Sequence, residues 1–256
     1  MRHLLRWVLL VGAALLLLQA YFAARIALMI WVNPESTTFQ RSELVRLARD
    51  KGLGVVYRHQ WVPYARISDN LKRAVIAAED DGFVNHDGVD WNAIERAWAR
   101  NAAAEELAKR QAQAKEKLGQ VLGKTTEAPP PMRFKIIGGS TITQQLAKNL
   151  FLSGERTMLR KGQELILTKM LERMLSKERI LEIYLNSVEW GEGVFGAEAA
   201  ARRYFGRGAA SLERLQAARL AVMLPRPRHF EKYPRSTYLA GRAALIAGRM
   251  GRVELP

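Results

Sequence analysis

Three clusters of polar side chains in this chain have the make-up of a reacting centre. The first is Glu79-Asp80, with Phe83, His86 and Gly88 close behind. The two carboxylates close an apolar helical pattern of Leu71, Val75, Ile76 and Ala78. Carboxylates at the C-terminal end of a helix oppose its dipole, which favours cations there. Taken alone such a pair is a solvated turn, because surface carboxylates are the rule. Beside the other clusters it reads as a pair of carboxylates held for chemistry. The second cluster is Gly138-Gly139-Ser140-Thr141-Ile142-Thr143-Gln144-Gln145, followed by Lys148-Asn149. The third is Arg160-Lys161-x-x-Glu164. Its three charged residues are helix-surface neighbours, an arrangement that as plain ion pairs is worth a few tenths of a kcal/mol each. As a phosphate clamp it would combine an Arg fork with a Lys point charge.

These clusters need helices to hold them. Ser68 and Asp69 offer an N-cap for a helix over 71–78. Asp90 offers another for 91–100. Thr141 and Gln144 match a capping box, and the glycines before them free the backbone. On the helix that follows, Thr141, Gln145 and Lys148 share one face, and Ile142, Leu146 and Leu150 share another. The pattern around Arg160 continues to 176, with Glu172 two turns on from Glu164. Helices are also expected over 42–50, stopped by Gly52, and over 177–186, broken by Gly191, Gly193 and Gly196. Others follow over 197–205, over 211–224 (ended by Pro225-Arg226-Pro227) and over 237–250. Residues 55–57 and 61–62 read as short strands or extended linker. Residues 101–128 are almost all Ala, Glu, Lys, Gln and Leu, with no apolar stripe wide enough for a core. A solvated helix is expected there, followed by a stiff linker at Pro129-Pro130-Pro131.

The N-terminal stretch is of a different kind. Residues 7–24 carry no charge, and eighteen helical residues span roughly 27 Å, close to the hydrocarbon thickness of a bilayer. Arg25 interrupts, but 26–32 is apolar again, and Trp7 and Trp31 suit the two interfaces. The run is too long for a cleaved signal peptide, so a retained anchor over 1–33 is expected. Arg2 and Arg6 put its N-terminus inside, with Arg25 a weaker pull the other way. The rest of the chain, 34–256, then lies outside the cytoplasm. The 256 residues carry 40 Lys and Arg against 25 Asp and Glu, a net charge of +15. That favours a polyanion, and outside the cytoplasm anionic lipid or a phosphate-bearing substrate suits better than nucleic acid. There is no cysteine, which excludes disulfides and thiolate metal sites, and His3, His59, His86 and His229 show no metal-binding spacing.

In order along the chain, the motifs resemble those of the glycosyltransferase family 51 peptidoglycan polymerases. Glu79-Asp80-x-x-Phe83-x-x-His86-x-Gly88 is similar to the first signature. The Gly138 to Gln145 run with Lys148-Asn149 is similar to the second, and Arg160-Lys161-x-x-Glu164 to the third. Lys177-x-x-Ile180-Leu181-Glu182-x-Tyr184-Leu185-Asn186 and Ala221-x-x-Leu224-Pro225 are similar to the fourth and fifth. With no penicillin-binding domain after them, the match is to the stand-alone form. Two features depart from the pattern. Residues 101–131 form a longer insertion than usual near the membrane-facing lobe, and Thr168 stands where a small Ala is expected.

The resemblance implies a mainly helical, all-α enzyme with a lysozyme-like larger lobe and a smaller membrane-facing lobe, behind one transmembrane helix. It implies an inverting polymerisation of lipid II into β-1,4 glycan with release of undecaprenyl pyrophosphate. Glu79 would be the base and Glu164 the second essential carboxylate. Asp80, Phe83, His86, Thr141 and Gln145 would shape sugar and phosphate subsites, and Lys148, Arg160 and Lys161 would stabilise the pyrophosphate. The resemblance names no certain cofactor, and pyrophosphate makes a divalent cation such as Mg²⁺ a natural companion. The implied partners are lipid II, the growing glycan and membrane lipid, with room for cell-wall synthesis or division proteins. The implied location is the inner membrane, single-pass, with the catalytic domain on the periplasmic face. A lysozyme-like hydrolase would also use two carboxylates but needs no phosphate clamp. A non-enzymatic membrane scaffold would need neither carboxylate.

Overall fold

The computed structural model describes residues 2–54, 56–121, 139–152 and 157–256. The proline linker at 129–131, Val55 of the first extended run and Gly138 of the second motif lie outside them. The chain forms two units, Met1–Gly88 with Thr141–Pro256, and Val89–Ser140. Both are helical, as the sequence leads one to expect.

In the first unit, α1 (Arg2–Leu28) is long and apolar enough to cross a membrane. Its early turns are exposed, while Ile26 is fully buried and Met29, just past its end, is 4% exposed. Next comes α2 (Thr38–Lys51), which begins earlier than the pattern from Ser42 suggests. The reason is a capping box between Thr37 and Gln40, and Gly52 ends the helix at φ 57°. The helix α3 (Asp69–Glu79) starts on the Ser68 cap and buries Leu71, Val75 and Ile76. It packs on α9 (Arg214–Met223), which packs on α11 (Thr237–Arg249).

Three helices carry the remaining motifs. α5 (Ile142–Phe151) opens with the expected Thr141–Gln144 capping box. α6 (Met158–Met174) starts on the Thr157 hydroxyl, and α7 (Lys177–Ser187) on that of Ser176. α5 lies against α2, α6 and α7, and α1 lies along α6. Ile142, Leu146 and Leu150 of α5 are buried, each removing apolar surface worth roughly 1.5–3 kcal/mol. α8 (Ala197–Phe205) matches the expected bounds. Pro227, read from sequence only as a terminator, instead opens the short α10 (Pro227–Lys232), where its missing N–H costs no helical bond.

The sheet is small. β1 (Arg58–His59) pairs in parallel with β3 (Val194–Phe195), and β3 pairs antiparallel with β2 (Glu189–Gly191). Arg58 faces Val194 and His59 faces Phe195. β1 therefore falls between the two extended runs expected at 55–57 and 61–62, and the glycine-rich stretch after α7 forms a hairpin. Gly193, at φ 71°, lets the Val56 carbonyl come within 2.1 Å of where a Cβ would stand.

The second unit is dominated by α4 (Trp91–Val121), started by Asp90 Oδ1, which accepts from the Ala93 N–H at 2.7 Å. The helix runs on past residue 100 without a break, because 101–118 are strong helix formers with neither Gly nor Pro. Exposed pairs Glu105–Lys109 and Glu106–Arg110 line it, as a solvated helix should show.

Candidate active site

The turn after α3 explains the carboxylates that oppose the helix dipole. Asp80 is the C-cap of α3, but its side chain serves a neighbouring helix. Asp80 Oδ2 accepts from the Ile142 N–H at 2.9 Å, so it sits at the positive N-terminus of α5. Its Oδ1 accepts from His86 Nε2 at 2.8 Å. His86 Nδ1 in turn accepts from the Gly88 N–H at 3.1 Å, which fixes the ring with its proton on Nε2. Thr141 Oγ1 donates to the Gly88 carbonyl at 2.7 Å. The first and second motifs are thus stitched together through Asp80, His86, Gly88 and Thr141.

Glu79 takes the other direction. Its Oε2 accepts from Gln145 Nε2 at 2.9 Å, and Gln145 Oε1 accepts from the Tyr184 hydroxyl at 2.9 Å. Burial raises the Glu79 pKa above the ordinary carboxylate range; Gln145 pulls it down, the charge of Asp80 pushes it up, and that of Lys148 pulls it down. A carboxyl poised this way accepts a proton more readily than an exposed one.

Gln145, Lys148, Asn149, Arg160, Tyr184 and Glu189 line one cavity of about 460 Å³, between α5, the start of α6, α7 and β2. Glu164 is buried behind Arg160, whose Nη1 is 2.9 Å from its carboxylate, and Lys161 also pairs with it. Arg160 Nε is buried and has no hydrogen-bond partner among the described residues. Buried donors are almost always paired, so this one asks for an explanation.

The sequence-predicted residues therefore divide. Gln145, Lys148 and Arg160 line the cavity. Glu79 joins it through Gln145, and Glu164 joins it through Arg160. Lys161 is half-exposed beside Glu164. Asp80, Phe83, His86 and Thr141, which the resemblance assigns to substrate subsites, do not line this cavity. Asp80, Phe83 and Thr141 are buried behind it, and the His86 side chain is nearly so.

Sequence reasoning gave no role to several groups the structure puts to work. Lys177 Nζ donates to the His86 carbonyl at 2.6 Å, pairs with Glu172 at 2.9 Å and stands over the Phe83 ring at 4.6 Å. Asn186 mimics a strand partner: its side chain accepts from the Val62 N–H and donates to the Val62 carbonyl, both at 2.9 Å. Tyr184 and Glu189 reach the cavity. Lys177, Tyr184 and Asn186 belong to the fourth motif, and that membership was their only visible signal. Among the described residues no three His, Cys, Asp or Glu side chains converge as a metal cradle. Glu164, the carboxylate among the basic groups, is engaged by Arg160 and Lys161 instead.

A family model described as Transglycosylase matches residues 50–111 and 132–251. The chain belongs to the transglycosylase family. Among curated relatives, the biosynthetic peptidoglycan transglycosylase of Herminiimonas arsenicoxydans is 50% identical over 257 residues, covering 100% of this chain and 99% of its own. That of Paraburkholderia xenovorans (strain LB400) is 49% identical, covering 98% and 94%. That of Burkholderia orbicola (strain MC0-3) is 51% identical, covering 99% and 93%. The transglycosylase match leaves out 112–131, which falls within the stretch expected as an insertion. Family membership, the helical fold and an enzyme that transfers glycosyl groups are what the five motifs lead one to expect.

Proposed function

We propose that this transglycosylase polymerises lipid II into β-1,4-linked peptidoglycan strands at a membrane surface. The observation that carries the reading is one cavity in which Lys148 and Arg160 stand beside a carboxamide that hydrogen-bonds Glu79. That the relatives are biosynthetic peptidoglycan transglycosylases supports it. In the proposed reaction the 4-hydroxyl of the acceptor sugar attacks the anomeric carbon of the donor glycan. A new C–O bond forms with inversion, and the bond to undecaprenyl pyrophosphate breaks. Glu79 takes the hydroxyl proton, helped by the raised pKa that its burial causes.

The leaving pyrophosphate keeps the electron pair, and its charge grows as the bond stretches. Lys148, Arg160 and Lys161 are set to meet it, and fixed cations in a partly dry cavity stabilise such charge better than water does. The Nε of Arg160, without a partner among the described residues, supports this, since an anion would satisfy it. Glu164 holds Arg160 and Lys161 in place and tempers their charge. Asp80, Phe83, His86 and Thr141 shape the site from behind, by fixing the turn that carries Glu79. The base and the cations all fall in the unit made of Met1–Gly88 and Thr141–Pro256, which supports reading 34–256 as the glycosyltransferase domain with 101–131 an insertion in it.

A lipid-linked donor requires an enzyme at the bilayer, which α1 supplies. Arg2 and Arg6 favour an N-terminus in the cytoplasm, so that the site faces outward from the inner membrane. The net charge of +15 suits an anionic lipid surface. A hydrolase would not need the basic wall of the cavity.

The test is incubation of the purified chain with labelled lipid II, followed by sizing of the product. Long glycan with released lipid pyrophosphate is expected, and short sugars would point to hydrolysis. Glu79→Gln should still bind lipid II and lose about 10²–10⁴-fold in polymerisation. Polymerisation by Glu79→Gln within tenfold of the unaltered enzyme would overturn the assignment of the base.

A further inference from the structure

We propose that Tyr184 is a positioning residue for the base, its phenol holding the Gln145 carboxamide in the single orientation that donates to Glu79; this rests on the reading of Glu79 as base. Three helices contribute to the line of contacts. From α7, Tyr184 Oη donates to Gln145 Oε1 of α5 at 2.9 Å, and Gln145 Nε2 donates to Glu79 Oε2 of α3 at 2.9 Å.

A carboxamide has two chemically opposite ends, and flipping it exchanges donor for acceptor. An ionised carboxylate only accepts, so Gln145 serves Glu79 only with its NH₂ turned that way. What selects this orientation is the group at the other end. A phenol there donates to the carbonyl and so rewards one rotamer. An apolar side chain of similar size would reward neither.

Tyr184 is fully buried, where a phenylalanine would fill the same volume. Burial, with the charges of Glu79 and Asp80, holds its pKa well above the ordinary phenol range, so it remains a donor wherever the enzyme works. The Gln145 side chain also lines the cavity, so with the phenol gone it is free to turn its amide toward substrate. The charged groups acting on Glu79 are Asp80 from the adjoining turn and Lys148 from α5. His86 engages Asp80 rather than Glu79. Gln145 is the hydrogen bond that favours the ionised base, opposing burial and Asp80. Its loss raises the pKa of the base further.

The experiment uses the full chain in lipid vesicles with labelled lipid II, comparing the unaltered enzyme, Tyr184→Phe, Gln145→Ala and the double variant. Tyr184→Phe should lower kcat about tenfold at neutral pH, the effect of one hydrogen bond, while leaving KM within about twofold. The acid limb of its rate profile should move to higher pH. In the Gln145→Ala background the same substitution should change neither kcat nor the pH profile, because the amide it orients is gone. A Tyr184→Phe enzyme with unaltered kcat and pH profile overturns the proposal. So does an equal loss in both backgrounds, which marks a packing role. An active Glu79→Gln enzyme defeats the reading of the base, whatever Tyr184→Phe does. An inactive Glu79→Gln beside an unaffected Tyr184→Phe defeats the present proposal alone.

Discussion

At the scale of single residues, Glu79 carries a cost that its neighbour Asp80 avoids. Asp80 is met by a helix N-terminus and an imidazole N–H, so its charge is fully used. Glu79 accepts from Gln145, lies beside Asp80, and has its pKa raised by burial. A carboxyl whose folded pKa lies above its unfolded value binds more protons in the folded state. Stability then falls as pH rises from the unfolded value through the folded one. Glu79→Gln removes that penalty and keeps an oxygen for Gln145. The variant is therefore expected to melt at a higher temperature than the unaltered protein at pH 7, with the difference vanishing below the ordinary carboxylate range. Thermal unfolding followed by circular dichroism across pH checks this. Sequence identified both carboxylates but not that Asp80 is taken up by Ile142 and His86. Side-chain type alone does not say that Asp80 reaches residue 142, because that contact depends on how α3 and α5 are laid together.

At the scale of elements, the turn 80–88 and the helix α6 are fitted closely. Gly88 has φ 82°, and a Cβ there would lie 2.6 Å from Thr168 Cγ2 and 2.8 Å from Glu172 Cγ. Gly88→Ala thus meets both backbone strain and a clash, and is expected to cost about 2 kcal/mol or more. Thr168→Ala in the same chain should recover part of the loss, since it removes the nearer contact. Denaturant midpoints of the three variants measure both effects. Thr168, an oddity in the motif pattern, turns out to be the residue against which Gly88 is fitted, and its hydroxyl donates to the Glu164 carbonyl at 2.7 Å.

Helix starts were legible at Ser68, Asp90 and Thr141, where a capping side chain directly precedes the apolar pattern. The start of α2 was missed because its capping box lies one turn ahead of the apolar pattern. The sheet was missed for a different reason: strands of two or three residues are too short to show alternation.

At the scale of the whole molecule, α1 is part of the folded unit that holds the site rather than a tether to it. Gln19, the most polar residue of residues 7–24, exchanges two hydrogen bonds with Gln163 of α6, at 3.0 and 3.1 Å. Phe22 meets Phe151 edge-on at 5.4 Å, and Arg25 lies over the same ring at 5.5 Å. A helix long and apolar enough to cross a membrane was legible from composition. That it docks was not, because apolar runs look alike whether they face lipid or protein. The amide pair bears on α6, which carries Arg160 and Glu164. Gln19→Leu leaves Gln163 without its partner, and such pairs in a bilayer are worth about 0.6–2 kcal/mol. Hydrogen exchange over 158–166 in nanodiscs should accelerate about threefold or more, and an unchanged rate would argue that the pair bears no load.

The end of α1 has a practical consequence. Arg179 donates to the Met29 and Val32 carbonyls and to Asn33 Oδ1, while Ile26 and Met29 are set into the core. Shortening the gene to begin at residue 34, an obvious route to a soluble enzyme, would open a hole under α7 and leave Phe151 facing water. A version that begins before Phe22 would keep that seat filled.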